Sequence, residues 1–563
     1  MKLFNGIGSM KKIVIMAIMA VVGFVMPNAK AQTPTPTNGA NSVYTITEGS
    51  ASDYTFTTTD GETVNYYKVN LNPANMSTSS SIQWRELPNS TDNNLMLSLP
   101  HNGDTSNPEV KYFAYTYTMP SGYTETNQHV ENPTADQVNN KLFNGASLVV
   151  SSDNAVGGAI YNNQGIIGSI TGDFIGNYAI SSSYSVYGGA IYNSGTIDSI
   201  TGDFVGNYAQ GNYASGGAIC NNSSGTITSI TGDFIANYAK LETSRAYGGA
   251  IYNSGTITSI TGDFVGNWVQ GSWALGGAIY NYGTIETLTG DFIGNYAISN
   301  EYARGGAIDN DLGTIGDITG DFIGNYAVST GSNSNDSVYG GAIDNDLGTI
   351  GDITGDFIGN YAKSESGKAY GGAINNSGKI GTITGSFIDN YAVSNNGSAY
   401  GGAISHYNVT IGSITGDFVG NYAESESSNA HGGAIWYHFG KIGTITGSFI
   451  DNYAVSNNGS AYGGAIWTDK DLNFVADNRT NTFSGNYIQI GDGEKQYEAI
   501  YVDSSSATLT FNAINGGKFV MDDYTNGKTG YNVKLTGDGT GTFELNNQLK
   551  GADVTTENIT VDL

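Results

Sequence analysis

Cysteine is almost missing from this chain: Cys220 stands alone among 563 residues. No intramolecular disulfide can staple the fold, so stability has to come from packing and backbone hydrogen bonds. Basic residues are scarce as well, 22 Lys and Arg against 50 Asp and Glu. That balance excludes nucleic acid as a partner, because phosphate binding takes a basic footprint. Long apolar runs are confined to residues 13–26, shorter than the ~20 residues of a spanning helix. With Lys2, Lys11 and Lys12 ahead of it and Ala-Lys-Ala at 29–31 behind, the run reads as a secretory signal removed after residue 31. Its removal leaves 18 basic against 50 acidic residues, a net charge of −32. No cysteine lies near the cut to carry a lipid. Histidine is equally sparse: His101, His129, His406, His431 and His438 form no His-Glu-x-x-His pattern and no metal-ligand spacing,.

Glycine and tyrosine abound, with 80 and 38 copies, and they fall in a repeat. Gly-Gly-Ala-Ile begins at Gly157, Gly188, Gly216, Gly248, Gly276, Gly305, Gly340, Gly371, Gly401, Gly432 and Gly463. Each copy is followed by Phe-x-x-Asn, 16 to 18 residues on in all but the last. Every unit holds three β-compatible pieces, Gly-Ala-Ile-Tyr-Asn, Thr-Ile-x-x-Ile-Thr and Phe-Ile-Gly-Asn-Tyr-Ala, with Gly, Asn, Ser and Asp at the joints,. No window has ten residues of helical periodicity, and β-branched residues favour a pleated surface. Three strands per roughly thirty residues predict an all-β, right-handed parallel β-helix of eleven clear coils, each burying a face against the next. At ~4.8 Å per coil the clear repeats span about 50 Å.

Stacking turns repeated residues into columns. Phe174, Phe204, Phe234, Phe264, Phe292, Phe322, Phe357, Phe387, Phe418, Phe449 and Phe483 are expected to form a core stack. Asn177, Asn207, Asn237, Asn267, Asn295, Asn325, Asn360, Asn390, Asn421, Asn452 and Asn486 are expected to form a corner ladder, each Asn taking the left-handed turn conformation and bonding to its copy one coil away. The residue after Gly-Gly-Ala-Ile varies: Tyr161, Tyr192, Cys220, Tyr252, Tyr280, Asp309, Asp344, Asn375, Ser405, Trp436 and Trp467. That variety predicts a solvent-facing column, with the preceding Ile turned inward. Its aromatics, Tyr161, Tyr192, Tyr252, Tyr280, Trp436 and Trp467, either stabilise one another or offer a platform for a glycan or a protein partner.

Asp173, Asp203, Asp233, Asp263, Asp291, Asp321, Asp356 and Asp417 precede the column phenylalanines, and Ser386 and Ser448 replace them in two units that carry Asp389 and Asp451. Like charges one coil apart repel, so the column is read as a turn cap. Calcium is the weaker alternative, because the Gly-Gly-x-Gly-x-Asp repeat is missing; no other cofactor is implied. The segment between Tyr-Ala and the next Gly-Gly varies freely in length, which puts all variable loops on one edge of the rod, the first candidate for a recognition surface.

Gly-Gly-Ala-Ile paired with Phe-x-x-Asn over residues 157–486 resembles the repeat signature of the polymorphic outer-membrane protein family of autotransporter adhesins. The resemblance implies a β-helical passenger carried outward by type V secretion and displayed at the cell surface, where it meets a host-cell protein or glycan. The C-terminal translocator barrel of that family finds no counterpart in residues 487–563, which read as further irregular coils; an outer-membrane association would need such a barrel. Residues 32–140 read as a β-rich cap or small domain, and 141–486 as the repeat body. An enzyme is disfavoured, since the acids recur uniformly instead of forming one constellation. A structural stalk without its own ligand is the remaining alternative.

Overall fold

The computed structural model describes residues 122–241 and 244–562, together with five short strands between Val43 and Tyr115. The expected signal segment, 1–31, lies outside the described residues. The five strands form a small sheet of their own, in which Val43–Thr47 pairs antiparallel with Ser81–Arg85 and Asp53–Thr57 with Thr63–Val69. Residues 122–563 form the second unit, a parallel β-solenoid of about 13 turns with roughly 30 residues per coil. Its first turn lies ahead of residue 141: Thr124–Thr126 and Val130–Glu131 already pair with later coils.

One coil shows the plan. Ile343–Asp346 joins an asparagine sheet, Thr349–Ile350, Ile353–Thr354 and Phe357–Ile358 join a long sheet, and Tyr361–Ser364 and Ala369–Tyr370 join a tyrosine sheet. Like residues pair in register with the next coil: Ile343 with Ile374, Phe357 with Phe387, Tyr361 with Tyr391. The Gly-Gly step follows from sterics. Gly340 has φ +64°, and a Cβ there would sit 2.1 Å from the Ile343 carbonyl oxygen; at Gly341 it would sit 2.0 Å from the carbonyl oxygen of Gly372. Only glycine lets one coil approach the next this closely.

The eleven column phenylalanines are fully buried and stack with ring centroids 4.7–5.0 Å apart, and Phe143 extends the stack by one coil. The isoleucines of the asparagine and long sheets complete this core. A second, thinner core consists almost wholly of alanine, from Ala155 to Ala461. It closes a lobe formed by the tyrosine-sheet segment of each coil, which is two strands joined by the variable loop in most coils and one continuous strand in Trp268–Leu275 and Tyr296–Arg304. On the lobe's outer side a further column, Tyr178, Tyr208, Tyr238, Trp268, Tyr296, Tyr326, Tyr361, Tyr391, Tyr422, Tyr453 and Tyr487, stacks at 4.4–5.9 Å.

The asparagine ladder is continuous and directional. Each Asn donates from its backbone N–H and from Nδ2 to Oδ1 of the next Asn, and from Nδ2 to the carbonyl of the Phe in the preceding coil; for Asn325 these distances are 2.9, 3.0 and 2.8 Å. The chain of donors starts at the Ala146 N–H and ends on Asp523, an acceptor-only carboxylate that takes both Asn486 donors at 2.8 Å,. One expectation needs correcting. The left-handed conformation belongs to the residue before each Asn: Gly in most coils, Ala236 (φ +51°), Asp389 (φ +54°) and Asp451 (φ +55°) in the others. The Asn itself stays out of that region because its N–H must point along the rod axis to reach the next coil. A second buried ladder, from Asn162 through Asn193, Asn221, Asn253, Asn281, Asn310 and Asn345 to Asn376, ends on His406 Nδ1 at 3.0 Å. Each Nδ2 points to the following coil, so His406 accepts through an unprotonated Nδ1; burial pushes its pKa down to about 4.

The aspartates before the phenylalanines form a third ladder, in which each carboxylate accepts the N–H of its counterpart one coil on, as Asp173 does from Asp203 at 2.9 Å and Asp203 from Asp233 at 2.9 Å. Burial pushes Asp203 up to about 7, against its backbone hydrogen bond. A neutral carboxyl removes the like-charge repulsion that stacking would otherwise impose. Beyond Phe483 the coils continue with longer strands, Thr508–Ile514 pairing with Tyr531–Gly537 and that with Ala552–Glu557, over a core of Leu509, Phe511, Val533 and Leu535.

Candidate functional site

Where the lobe meets the asparagine sheet, each coil presents three positions: the residue before Gly-Gly on the lobe, and the residues five and seven further on along the sheet. They make a wall, a floor and a rim. The floor is the column predicted to face solvent, and the prediction is corrected here. It does point away from the main core, as alternation demands, but the lobe folds back over it. Cys220, Asp309 and Ser405 are fully buried, Tyr280, Trp436 and Trp467 nearly so, and Tyr161, Tyr192 and Tyr252 are half-covered.

In the early coils the floor is filled. Tyr192 packs edge-on against the wall residue Tyr187 at 6.1 Å, and Tyr252 and Tyr280 pack against Tyr247 at 6.0 and 4.7 Å. From Asp309 to Ser405 the floor side chains shorten, and a cleft of about 380 Å³ opens. Wall residues Arg304, Tyr339 and Tyr370, floor residues Asp344, Asn375 and Ser405, and rim residues Asp346, Ser377 and Tyr407 line it, with Trp436 closing the far end. Three coils of ~4.8 Å rise separate Asp344 from Trp436, so the lined floor runs about 14 Å along the axis,. Of the six aromatics singled out from sequence, Trp436 alone lines the cleft. Tyr192, Tyr252 and Tyr280 block the groove instead, and Tyr161 and Trp467 lie beyond it.

The polar groups in the cleft are held in place. The Arg304 guanidinium pairs with Asp346, comes within 3.9 Å of Asp344 and lies 5.3 Å from the Tyr339 ring centre. Asn375 Nδ2 donates to Asp344 at 2.7 Å, and Ser377 Oγ to Asp346 at 3.1 Å. The wall rings stack, Tyr339 on Tyr370 at 5.1 Å and Tyr370 on Tyr400 at 4.8 Å. Burial pushes Asp344 up to about 7 although Arg304 opposes it, and burial together with Asp344 raises Asp309 well above the carboxylate range. Two lining groups have a buried atom with no hydrogen-bond partner, Arg304 Nε and Ser405 Oγ, and both carboxyl oxygens of the neighbouring Asp309 are likewise without one. Such groups are costly to leave unmade.

His431 sits in the wall column, stacked between Tyr400 and Tyr462, with burial pushing it down to about 4; His438 Nδ1 lies 2.8 Å from Asp469. With His406 closing the second asparagine ladder, the three histidines of neighbouring coils serve separate packing roles. No group of three or more His, Cys, Asp or Glu side chains among the described residues is arranged to hold a metal ion. No helix among them is long and apolar enough to cross a membrane, which leaves β-barrels unaddressed.

Fold and cleft together define a parallel β-solenoid with a lateral groove opened over a few coils. The chain matches no family model, no curated protein and no solved structure.

Proposed function

We propose that the protein is an exported bacterial surface passenger that recognises a host-cell or surface ligand without transforming it, its β-solenoid serving as the display scaffold. The carrying observation is the break in the floor column. The floor carries tyrosine in four of its first five coils and gives that ring up over Asp309, Asp344, Asn375 and Ser405, which leaves a lined cleft with unpartnered polar groups. The turns beyond the rim support the same face. Leu312 and Leu347 hold the left-handed conformation at φ +59° and +57° and remain about 55–60% exposed, a strained and apolar presentation that packing does not require. The signal-like residues 1–31, the acidic surface and the resemblance to the polymorphic outer-membrane repeats support export and display.

The test is adhesion of surfaces coated with the full chain to host cells. Exchanging the long lobe tip at 330–337 for the short one at 271–272, and filling the floor with Ser405→Tyr, should each reduce adhesion. A structural stalk predicts unchanged adhesion in both variants, and appearance of new reducing ends in a polysaccharide incubated with the protein would replace recognition with catalysis.

A further inference from the structure

We infer that the cleft binds a neutral pyranose unit of a glycan, seated on the polar floor of Asp344, Asn375 and Ser405 with Tyr407 as the exposed aromatic platform at its rim. This rests on the recognition reading and names its ligand class.

Four properties of the cleft select that chemistry. Its volume, about 380 Å³, is near the lower end of the ~300–1,000 Å³ of clefts that enclose a small ligand, so it accepts a ring or two and not a protein surface. Its charge is nearly offset: Arg304 pairs with Asp346 and lies 3.9 Å from Asp344, whose carboxyl burial pushes up to about 7. A cation would have to displace that guanidinium, and an anion would meet the carboxylates; a neutral ligand meets neither cost. The lining alternates donors and acceptors with aromatic faces. Asn375, Ser377 and Ser405 offer amide and hydroxyl groups, while Tyr407 is 44% exposed and runs parallel to Trp436 at 6.5 Å. A pyranose has this double character, hydroxyls around its edge and C–H groups on its face, and aromatic side chains with one apolar surface and one polar tip match it. Finally, Ser405 Oγ is fully buried, lines the cleft and has no partner. A hydroxyl left unsatisfied at the floor keeps hydrogen-bonding capacity that a ligand hydroxyl reaching it would complete.

The coils that lack the cleft supply the control. Where the floor carries Tyr192, Tyr252 or Tyr280, the phenol ring occupies the space a sugar ring would take, against the wall aromatics Tyr187 and Tyr247. The protein's own repeat thereby specifies the blocking substitution.

The experiment is calorimetric titration of the full chain with neutral oligosaccharides of glucose, mannose, galactose and N-acetylglucosamine, each up to ~1 mM, with spermidine as the cationic probe and galacturonate oligomers as the anionic one. One or more neutral oligosaccharides should bind. Ser405→Ala should weaken that binding by about 3–10-fold, the worth of one neutral hydrogen bond, while leaving the melting temperature unchanged or raised, because it removes an orphaned hydroxyl. Tyr407→Ala should weaken it by a similar factor, Ser405→Tyr should abolish it, and Tyr161→Ala, in the same column but far from the cleft, should leave it unchanged. If the Ser405→Tyr protein folds poorly by circular dichroism, Ser405→Ala and Tyr407→Ala decide the matter. Absence of binding to every neutral oligosaccharide, preference for spermidine or galacturonate, or affinity untouched by Ser405→Ala and Tyr407→Ala would each overturn the assignment. For the parent protein, cell adhesion without oligosaccharide binding overturns the glycan and keeps the recognition reading, and absence of both adhesion and binding overturns both.

Discussion

Replacing Asn325 by Ala removes one rung from the middle of the buried ladder, and its cost can be worked bond by bond. The Asn325 side chain donates to the Phe292 carbonyl at 2.8 Å and to Asn360 Oδ1 at 3.0 Å, and its Oδ1 accepts the Asn295 N–H at 2.9 Å and Asn295 Nδ2 at 2.9 Å. After truncation Asn360 Oδ1 keeps the Asn325 backbone N–H. The Phe292 carbonyl, the Asn295 N–H and one Asn295 amide hydrogen lose their partners in a site with no exposure. At ~1–3 kcal/mol for each buried group left unpaired, partly relieved by relaxation, the loss should be about 3–6 kcal/mol. Asn325→Asp keeps both acceptor roles but sets a carboxylate against Asn360 Oδ1 and the Phe292 carbonyl, so its deficit should shrink as the pH is lowered and the carboxyl protonates. Urea denaturation followed by circular dichroism measures both, with Asn396→Ala, an exposed loop asparagine, expected to stay within ~0.5 kcal/mol of the parent. A loss below ~1 kcal/mol for Asn325→Ala would refute the reasoning, since it would make the ladder no stronger than a surface hydrogen bond.

Gly341→Ala should cost at or above the top of the ~1–3 kcal/mol range for overpacking, because the added carbon meets the Gly372 carbonyl oxygen at 2.0 Å; thermal melting reads the change. Stability should rise on acidification from pH 8 toward 5. Asp203 and Asp344, pushed up to about 7, and Asp309, also raised, bind protons in the fold before the unfolded chain does, whereas His406 and His431, pushed down to about 4, oppose this below about 6.5. The net slope should be about 1–2 kcal/mol per pH unit near pH 6, and a melting temperature that falls over this interval would contradict the placement of the buried carboxyls. Cys220 is 1% exposed and burial pushes its thiol pKa up, so an aromatic disulfide reagent should modify it only at the rate of unfolding; rapid labelling of the native protein counts against its position in the floor.

Much of the fold is legible from the chain because a solenoid coil makes the same contacts in every turn, and repeated contacts write repeated residues. Phe322 and its ten counterparts mark the core directly, as do the asparagines three residues on. The second ladder is equally periodic, two residues after each Gly-Gly-Ala-Ile, and was readable by the same rule; the shift to His406 and Tyr437 in later coils hides its end. The residue before each Asn shows where reasoning by type fails. Asn tolerates the left-handed turn, yet the turn falls one position earlier, because the direction of the ladder's N–H decides which residue bends.

The sequence by itself determined the repeat, its strand pieces and the columns that must stack, since periodicity of 30 residues and alternation within strands are local properties of the chain. Only the tertiary structure decided what covers each column. The lobe that turns the residue after Gly-Gly-Ala-Ile from a solvent face into a cleft floor closes on paired alanines, and their smallness brings the wall residue of each coil over the floor residue five positions on. Which coils are filled by tyrosine and which are left open therefore depends on packing across the lobe, a contact no single unit displays.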